Sequence, residues 1–215
     1  MFINLFKNII LFYLLILSLA FGTDKKFFLP EVTAEYATNT LFAVGILDLH
    51  TRTFRVKNKK RIDTFIDNVP QSVIINYEKQ TVTYVWPKTF SYLIVKLNPE
   101  SQKQLKESSK ITYLKKMESD FIHGYETDIF KVKMELIDGT VEESTRWITK
   151  HGVTLKEKGF IDGKEGKIHF LSEFSNVRIF KQDERLFDVP EGYTVAPIGQ
   201  LDDINELLKL MVKRT

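Results

Sequence analysis

The sequence predicts a mainly β protein of the α+β class, with a meandering antiparallel sheet, a central helical insertion and a C-terminal helix. The first observation is the strict alternation in segment 81–86, which places Val82, Tyr84 and Trp86 on one side of a strand. The second is a series of turn signals that cut segment 52–97 into short pieces. The third is the 17 Phe and 8 Tyr, because aromatic residues favour sheets.

Composition limits the classes of function. A chain of 215 residues suits one domain with a targeting segment. The formal charge of +3 is too balanced for a nucleic-acid-binding stripe, and the pI of 8.8 allows only weak, transient contact with anionic membrane surfaces. The absence of cysteine excludes disulfides, thiolate metal sites, a cysteine nucleophile and an acylated cysteine anchor.

The N-terminus predicts export. Lys7 precedes an apolar run that ends near small residues at Ala20 and Gly22. This pattern is typical of a signal peptide, so we expect residues 1–22 to be removed after Gly22, with the bond after Ala20 as second choice. The alternative is an uncleaved anchor. Export without cysteine favours the periplasm for the remaining domain, 23–215.

The first strands follow this segment. Segment 23–39 favours partial disorder or an amphipathic helix around residues 32–37. Leu41 to Leu49 predicts one strand in which Gly45 marks a bulge or a close backbone approach. Segment 52–97 then predicts successive strands with their apolar side chains on one face. The turns between them are predicted at Lys57-Asn58-Lys59, Asp67 to Pro70, Glu78-Lys79-Gln80 and Pro87-Lys88.

The helical insertion is predicted over 98–120. Asn98 is a candidate N-cap and Pro99 a candidate first helical residue. An apolar stripe follows on one side of this helix. The stripe consists of Leu105, Ile111, Leu114 and Met117.

Strands resume after residue 121. Alternation in 130–136 predicts a strand that turns at Asp138-Gly139 and returns through Trp147. A strand over 153–160 then turns at Asp162-Gly163, and two short strands follow, around 168–170 and 177–179. Asp202 is predicted to cap the C-terminal helix, whose apolar side comprises Ile204, Leu207, Leu208 and Met211.

Catalytic chemistry has little support in the sequence. The four histidines share no metal-ligand spacing, and no nucleophile elbow, phosphate loop or dinucleotide fingerprint is present. Glu142 and Glu143 are interpreted as turn and surface residues. We therefore predict no catalytic residue, no metal and no cofactor, and not an enzyme.

Aromatic residues from several strands form the candidate binding set. If they converge on one face, they form either a packed core or an incompletely filled pocket for an acyl chain, and periodicity does not distinguish the two. The candidate ligand contacts are Phe54, Phe65, Tyr77, Tyr84, Trp86, Tyr92, Trp147 and Phe170.

Two strings resemble the exported LolA-like family. They are GYETDIFKVKMELIDGTVEESTRWITKHGVTLKEKG, residues 124–159, and QDERLFDVPEGY, residues 182–193. The resemblance covers roughly residues 41–193. It implies a half-open, curved antiparallel β-barrel whose mouth is closed by helices, with Arg61 as the counterpart of an arginine that bonds to the helical lid.

The resemblance and the aromatic face together predict a periplasmic, non-enzymatic binding protein. Its expected partner is a lipid or an acylated protein held on the apolar sheet face. The alternative is a structural or partner-binding envelope module with a filled core.

Overall fold

The computed structural model describes residues 32–44, 47–66, 69–97, 109–136, 139–163 and 166–196. The predicted signal peptide and the predicted C-terminal helix lie outside the described residues.

Within these ranges the protein is mainly β, with two short 3-10 helices at Pro87–Thr89 and Glu184–Phe187. The strands are β1 Tyr36–Val44, β2 Leu47–Val56, β3 Lys59–Ile66, β4 Val69–Asn76, β5 Thr81–Trp86, β6 Ser91–Lys96, β7 Ser109–Ile122, β8 Tyr125–Leu136, β9 Val141–Thr149, β10 Thr154–Gly163, β11 Gly166–Ile179 and β12 Thr194–Val195.

All of these strands belong to one curved, unclosed sheet. Its order is β12-β6-β5-β4-β3-β2-β1-β11-β10-β9-β8-β7. Strand β1 lies near the centre, between β2 and β11, so the two halves of the chain meet there. Every pairing is antiparallel except that of β12 with β6, which is parallel. The sheet therefore consists of two meanders, β1 to β6 and β7 to β11, that join between β1 and β11, and it stays open between β12 and β7.

The predicted helical insertion is wrong over residues 109–120. This segment belongs to β7, a strand of 14 residues that pairs with β8. Two register shifts interrupt the pairing, between Ile111 and Tyr113 and between Lys116 and Ser119. A bulge inserts one extra residue into the strand, so two residues that are three positions apart can point to the same face. Ile111 and Leu114 therefore contact the same apolar cluster, and their spacing of three residues resembles that of a helix. Residues 98–108 of the predicted helix lie outside the described part of the chain.

The first strands also differ from the prediction. Leu41 to Leu49 is not one strand, because β1 ends at Val44 and β2 begins at Leu47, and these two residues pair across a hairpin. No amphipathic helix forms over residues 32–37, because Tyr36 already starts β1 with its side chain buried. The apolar run is shared by two paired strands.

The β10–β11 hairpin is longer than predicted. Asp162 pairs with Lys167, and Gly163 pairs with Gly166, so the predicted turn residues lie inside the ladder. The two predicted strands that follow are one strand, β11. The polar residues between the two predicted strands lie where the pairing of β11 with β1 shifts register, between the pairs Asn39–Ser175 and Ala37–Arg178. Asn176 in this shift has a left-handed backbone, with φ of 51°. A bulge here bends the strand without ending it.

Candidate ligand-binding face

The strand register divides the side chains of the sheet into two faces, because successive residues point to opposite sides. One face carries a set of buried threonines, and we call it the threonine face. These residues are Thr38, Thr40, Thr51, Thr53 and Thr64. The other side of the sheet, which carries Phe54, Arg61 and Ile74, is the opposite face.

The buried hydroxyls of the threonine face stand opposite one another across β1, β2 and β3. Thr40 pairs with Thr51, which in turn pairs with Thr64. The hydroxyl of Thr38 donates to the carbonyl oxygen of Ser175 at 3.0 Å. The Oγ1 of Thr40 is buried and has no hydrogen-bond partner among the described residues. A buried polar atom left unpaired costs about 1–3 kcal/mol, so a polar atom that reached this hydroxyl would be stabilised by it.

Three apolar clusters flank these hydroxyls on the same face. Burial of each large apolar side chain contributes about 1.5–3 kcal/mol, so this face holds much of the folding energy. The first cluster, on β4–β6, comprises Val73, Ile75, Val82, Tyr84, Leu93 and Val95. The second comprises Phe42, Val44 and Phe170, and the third comprises Phe130, Val132, Met134 and Ile148.

A buried ionic cluster lies next to the third apolar cluster. The Nε of Arg146 donates to Oε1 of Glu157 at 2.6 Å, and its Nη2 donates to Oε1 of Glu142 at 2.9 Å. The hydroxyl of Ser144 donates to the same oxygen of Glu142 at 2.9 Å. Two carboxylates therefore share one guanidinium in a site that excludes most water.

The position of Glu142 changes its protonation. Its side chain is 1% exposed, and its Oε2 has no hydrogen-bond partner within the described ranges. Burial raises the pKa of Glu142 to about 7, and the charge of Arg146 opposes this increase. Burial therefore favours the protonated form of this carboxyl group. The interpretation of Glu142 as a turn and surface residue is wrong.

The register of the β8–β9 hairpin could have revealed this site. Gly139, with φ of 80°, supports the turn, and the strands then place Glu142 opposite Met134. Met134 belongs to the apolar side of β8 that the alternation identifies. A glutamate paired with such a residue is expected to be buried.

A half-buried titratable group, Lys60, lies at the other end of the threonine face. Tyr36, Arg55 and Lys60 stand in register across β1, β2 and β3. Burial lowers the pKa of Lys60 to about 7, and repulsion by Arg55 adds to the decrease. Burial also raises the pKa of Tyr36 to about 12. The guanidinium of Arg55 lies over the ring of Tyr77 and donates to its hydroxyl at 3.0 Å.

The aromatic residues predicted to bind a ligand divide between the two faces. Tyr84 and Trp86 stack with ring centroids 6.3 Å apart on the threonine face, where Tyr77 joins the same cluster. Phe170 lies in the second cluster of that face. The alternation within β5 is therefore as predicted, and these four residues are brought to one side of the sheet.

The other four predicted residues lie on the opposite face. Phe54 and Tyr92 pack with the buried Phe187 of the 3-10 helix Glu184–Phe187, which we call the closing 3-10 helix. Phe65 is 65% exposed. Trp147 donates its indole N–H to Oδ2 of Asp120 at 3.2 Å. The eight aromatic residues therefore do not converge on one face. Whether the odd-numbered or the even-numbered residues of a strand lie on a given face depends on the turn that precedes the strand. Their role as ligand contacts stays a prediction.

Arg61 connects β3 to the closing 3-10 helix. Its Nη1 donates to the carbonyl oxygen of Leu186 at 2.8 Å, and its Nε donates to Oδ1 of Asp63 at 2.6 Å. Whether the segment acts as a lid stays a prediction.

The described residues hold no group of three or more His, Asp or Glu side chains placed to bind a metal ion. Within the same ranges, no helix has the length and apolar character needed to span a membrane.

These features define an open antiparallel sheet with a buried polar row on an apolar face. No protein-family model matches the sequence, and no curated protein matches it significantly. The fold is similar to that of an uncharacterised conserved protein from Thermus thermophilus, with a TM-score of 0.52 and 10% identity. The match covers 77% of this chain and 91% of that one.

Two further solved structures are less similar. The MucA/MucB complex of Pseudomonas aeruginosa matches with a TM-score of 0.47 and 12% identity, over 78% of this chain and 59% of that one. A putative outer membrane lipoprotein-sorting protein domain from Vibrio parahaemolyticus matches with a TM-score of 0.35 and 8% identity, over 74% and 91% of the two chains. At these identities the comparisons establish similarity of fold with the Thermus protein and nothing about the ligand.

Proposed function

We propose that the protein is an exported, non-enzymatic binding protein of the periplasm that holds a lipid or acyl-bearing partner against the threonine face. The observation that carries the proposal is the combination of three apolar clusters with buried polar atoms on one face. An acyl ligand combines the same two properties, an apolar chain and a polar head.

The apolar clusters provide the affinity in this proposal. Each buried CH₂ group contributes about 0.8 kcal/mol, so a chain of ordinary length is held without any specific contact. The unpaired Oγ1 of Thr40 would orient the polar head. Hydrogen bonding to it removes the cost of leaving it buried and unsatisfied.

The proposed location rests on the sequence. The segment 1–22 has the pattern of a signal peptide, and the strings at 124–159 and 182–193 resemble the LolA-like family. Membership in that family is part of the proposal. Mass spectrometry of the exported chain tests the location, because processing after Gly22 leaves Thr23 as the first residue.

The second candidate function is an envelope module with a filled core. The complete burial of Ile75, Val82 and Val95 favours it, because a face that is fully packed leaves no room for an acyl chain. This module would bind a protein partner elsewhere on its surface and would take up no lipid.

The two tryptophans provide a direct test, because each lies on a different face. Trp86 packs against the first cluster of the threonine face, whereas Trp147 lies on the opposite face. The variants Trp147→Phe and Trp86→Phe each keep one of the two indoles. A fatty acid with bromine on its acyl chain is titrated into each delipidated variant, and indole fluorescence is recorded.

The proposal predicts saturable quenching of Trp86 in Trp147→Phe and little change of Trp147 in Trp86→Phe. Preferential quenching of Trp147 would place the ligand on the wrong face. Absence of quenching in both variants would favour the filled-core module.

A further inference from the structure

A groove of about 450 Å³ crosses the opposite face from β7 to β11. It runs across the strands, and two rows of side chains border it. The first row is formed by Lys131, Thr145 and Lys158, and the second by Tyr113, Lys133, Glu143, Phe160 and His169.

The first row is basic. Lys131 and Lys158 both stand opposite Thr145, one on each side, and Lys115 extends the row onto β7. Lys131 and Lys158 are exposed, and neither forms an ion pair with a residue that the structure describes. The ammonium of Lys158 lies 5.6 Å from the ring centroid of Trp147, a contact that leaves its charge unbalanced. Since neighbouring strands lie about 4.8 Å apart, the two backbones are separated by roughly 10 Å. Like charges in one row repel each other, and an anion between them relieves this repulsion.

The second row is largely aromatic. The ring of Phe160 lies edge-on to His169 with centroids 5.9 Å apart, and Tyr113 is 47% exposed at the β7 end. Between them, Nζ of Lys133 bonds to Oε1 of Glu143 at 2.8 Å, which neutralises this pair. The row therefore offers apolar ring surface with one charge-balanced contact.

The floor of the groove depends on Gly159. A Cβ at this position would overlap the carbonyl oxygen of Glu143 and lie 2.8 Å from the Cα of Ser144. The absence of a side chain lets β9 and β10 approach each other closely. The groove is thus formed by the backbone of the sheet as well as by its side chains.

We propose that this groove binds an acidic segment of a partner polypeptide in extended conformation. From β7 to β11 the groove crosses four strand spacings, roughly 19 Å, which matches about six extended residues. Acidic side chains of that segment would meet Lys131 and Lys158, and apolar side chains between them would contact Phe160 and Tyr113. Glu143 repels a ligand that carries a negative charge on every unit. A peptide in which acidic and apolar residues alternate therefore fits the groove better than a phosphate polymer does.

This site is separate from the proposed lipid-binding face, because the groove residues and the threonine face lie on opposite sides of the sheet. A variant that loses peptide binding should therefore keep its uptake of an acyl probe. Failure of one proposal does not imply failure of the other.

The test uses a fluorescein-labelled hexapeptide of alternating glutamate and leucine, and a second one with lysine in place of glutamate. Fluorescence anisotropy is recorded with the exported domain at low and high salt. The charge-reversed variant Lys131→Glu/Lys158→Glu is compared with Lys57→Glu/Lys88→Glu, which makes the same change of charge at exposed turns far from the groove. Circular dichroism of each variant verifies the fold.

We expect the acidic peptide to bind the unmodified protein, and we expect its affinity to decrease as the salt concentration rises. Reversal at Lys131 and Lys158 should weaken its binding at least tenfold and create binding of the lysine peptide, whereas the control should change either affinity less than threefold. Three results would overturn the proposal: no binding of the acidic peptide, an equal loss in the control, or tighter binding of single-stranded DNA of similar length.

Discussion

Arg146 lies 2.9 Å from one carboxylate oxygen of Glu142, and the second oxygen of that carboxylate is buried without a partner in the described chain. Glu157, at 2.6 Å from the same guanidinium, already supplies a balancing negative charge. When Glu142 is ionised, the cluster therefore carries an excess negative charge in a poorly hydrated site. This arrangement makes the stability of the fold depend on pH.

Glu142→Gln is expected to stabilise the protein above neutral pH and to change little at pH 4.5. The pKa of Glu142 rises from 4.5 in the unfolded chain to about 7 in the folded one, so the folded chain binds more protons between these values. Its contribution to stability therefore falls as pH rises from about 4.5 to about 7, and the loss stays constant above that. Chemical denaturation at pH 4.5, 6 and 8 measures the free energy of unfolding.

The control for this variant is Glu143→Gln, on the neighbouring position of β9. Glu143 is half-exposed and pairs with Lys133, which lowers its pKa through the hydrogen bond, so this variant should not gain stability with pH. A pH-independent difference between Glu142→Gln and the unmodified protein would mean that Glu142 does not titrate in this range.

Lys60→Met is expected to stabilise the protein at pH 7 and to lose this advantage by pH 10.5. Burial lowers the pKa of Lys60 from 10.5 to about 7, so the unfolded chain binds more protons between these values. Stability therefore rises with pH in this window. Together with the effect of Glu142, this predicts a minimum of stability near pH 7, which thermal unfolding from pH 4.5 to 10 would detect. A maximum near pH 7 would contradict both assignments.

Two threonines on the same strand should respond in opposite ways to replacement by valine. Thr40→Val removes a buried hydroxyl that lacks a partner among the described residues, which should stabilise the delipidated protein by about 1 kcal/mol. Thr38→Val removes the hydroxyl that donates to the carbonyl oxygen of Ser175 and should destabilise it by about 1–2 kcal/mol. Urea denaturation of both variants measures the two values. Equal destabilisation would show that Thr40 is hydrogen-bonded in solution.

Arg61→Met should loosen the closing 3-10 helix without unfolding the sheet. The variant loses the hydrogen bond to the carbonyl oxygen of Leu186, which anchors the helix that buries Phe187. Faster amide exchange over residues 184–196 is expected, with β4 and β5 unchanged. Lys59→Met removes an exposed ion pair to the same helix, at Glu184, and should have a much smaller effect. Equal rates of amide exchange over residues 184–196 in the two variants would show that Arg61 does not anchor the helix.

Alternation and turn residues predicted much of the fold. Segment 81–86 forms β5 with the faces that the pattern indicates, and Gly139 of the predicted turn lies between β8 and β9. The pattern fails in β7 because bulges change the period locally, so Ile111 and Leu114 imitate a helical stripe. Such bulges are selected by tertiary pairing and leave no clear signal in one sequence.

The candidate site was less predictable. Which face a strand presents depends on the register across every preceding turn, so Phe54 and Tyr84 were placed together although they lie on opposite faces. The buried cluster of Glu142 and Arg146 was missed because charged residues are normally exposed. The groove lysines were also invisible, since their juxtaposition requires three strands in register.

Mass spectrometry of lipids extracted from natively purified residues 23–215 tests the claim that an acyl chain occupies the threonine face. We expect an acyl lipid in near-equal molar amount to the protein, and saturable uptake of one fatty-acyl probe after delipidation. Protein that carries no lipid and takes up no probe at micromolar concentration would contradict the claim.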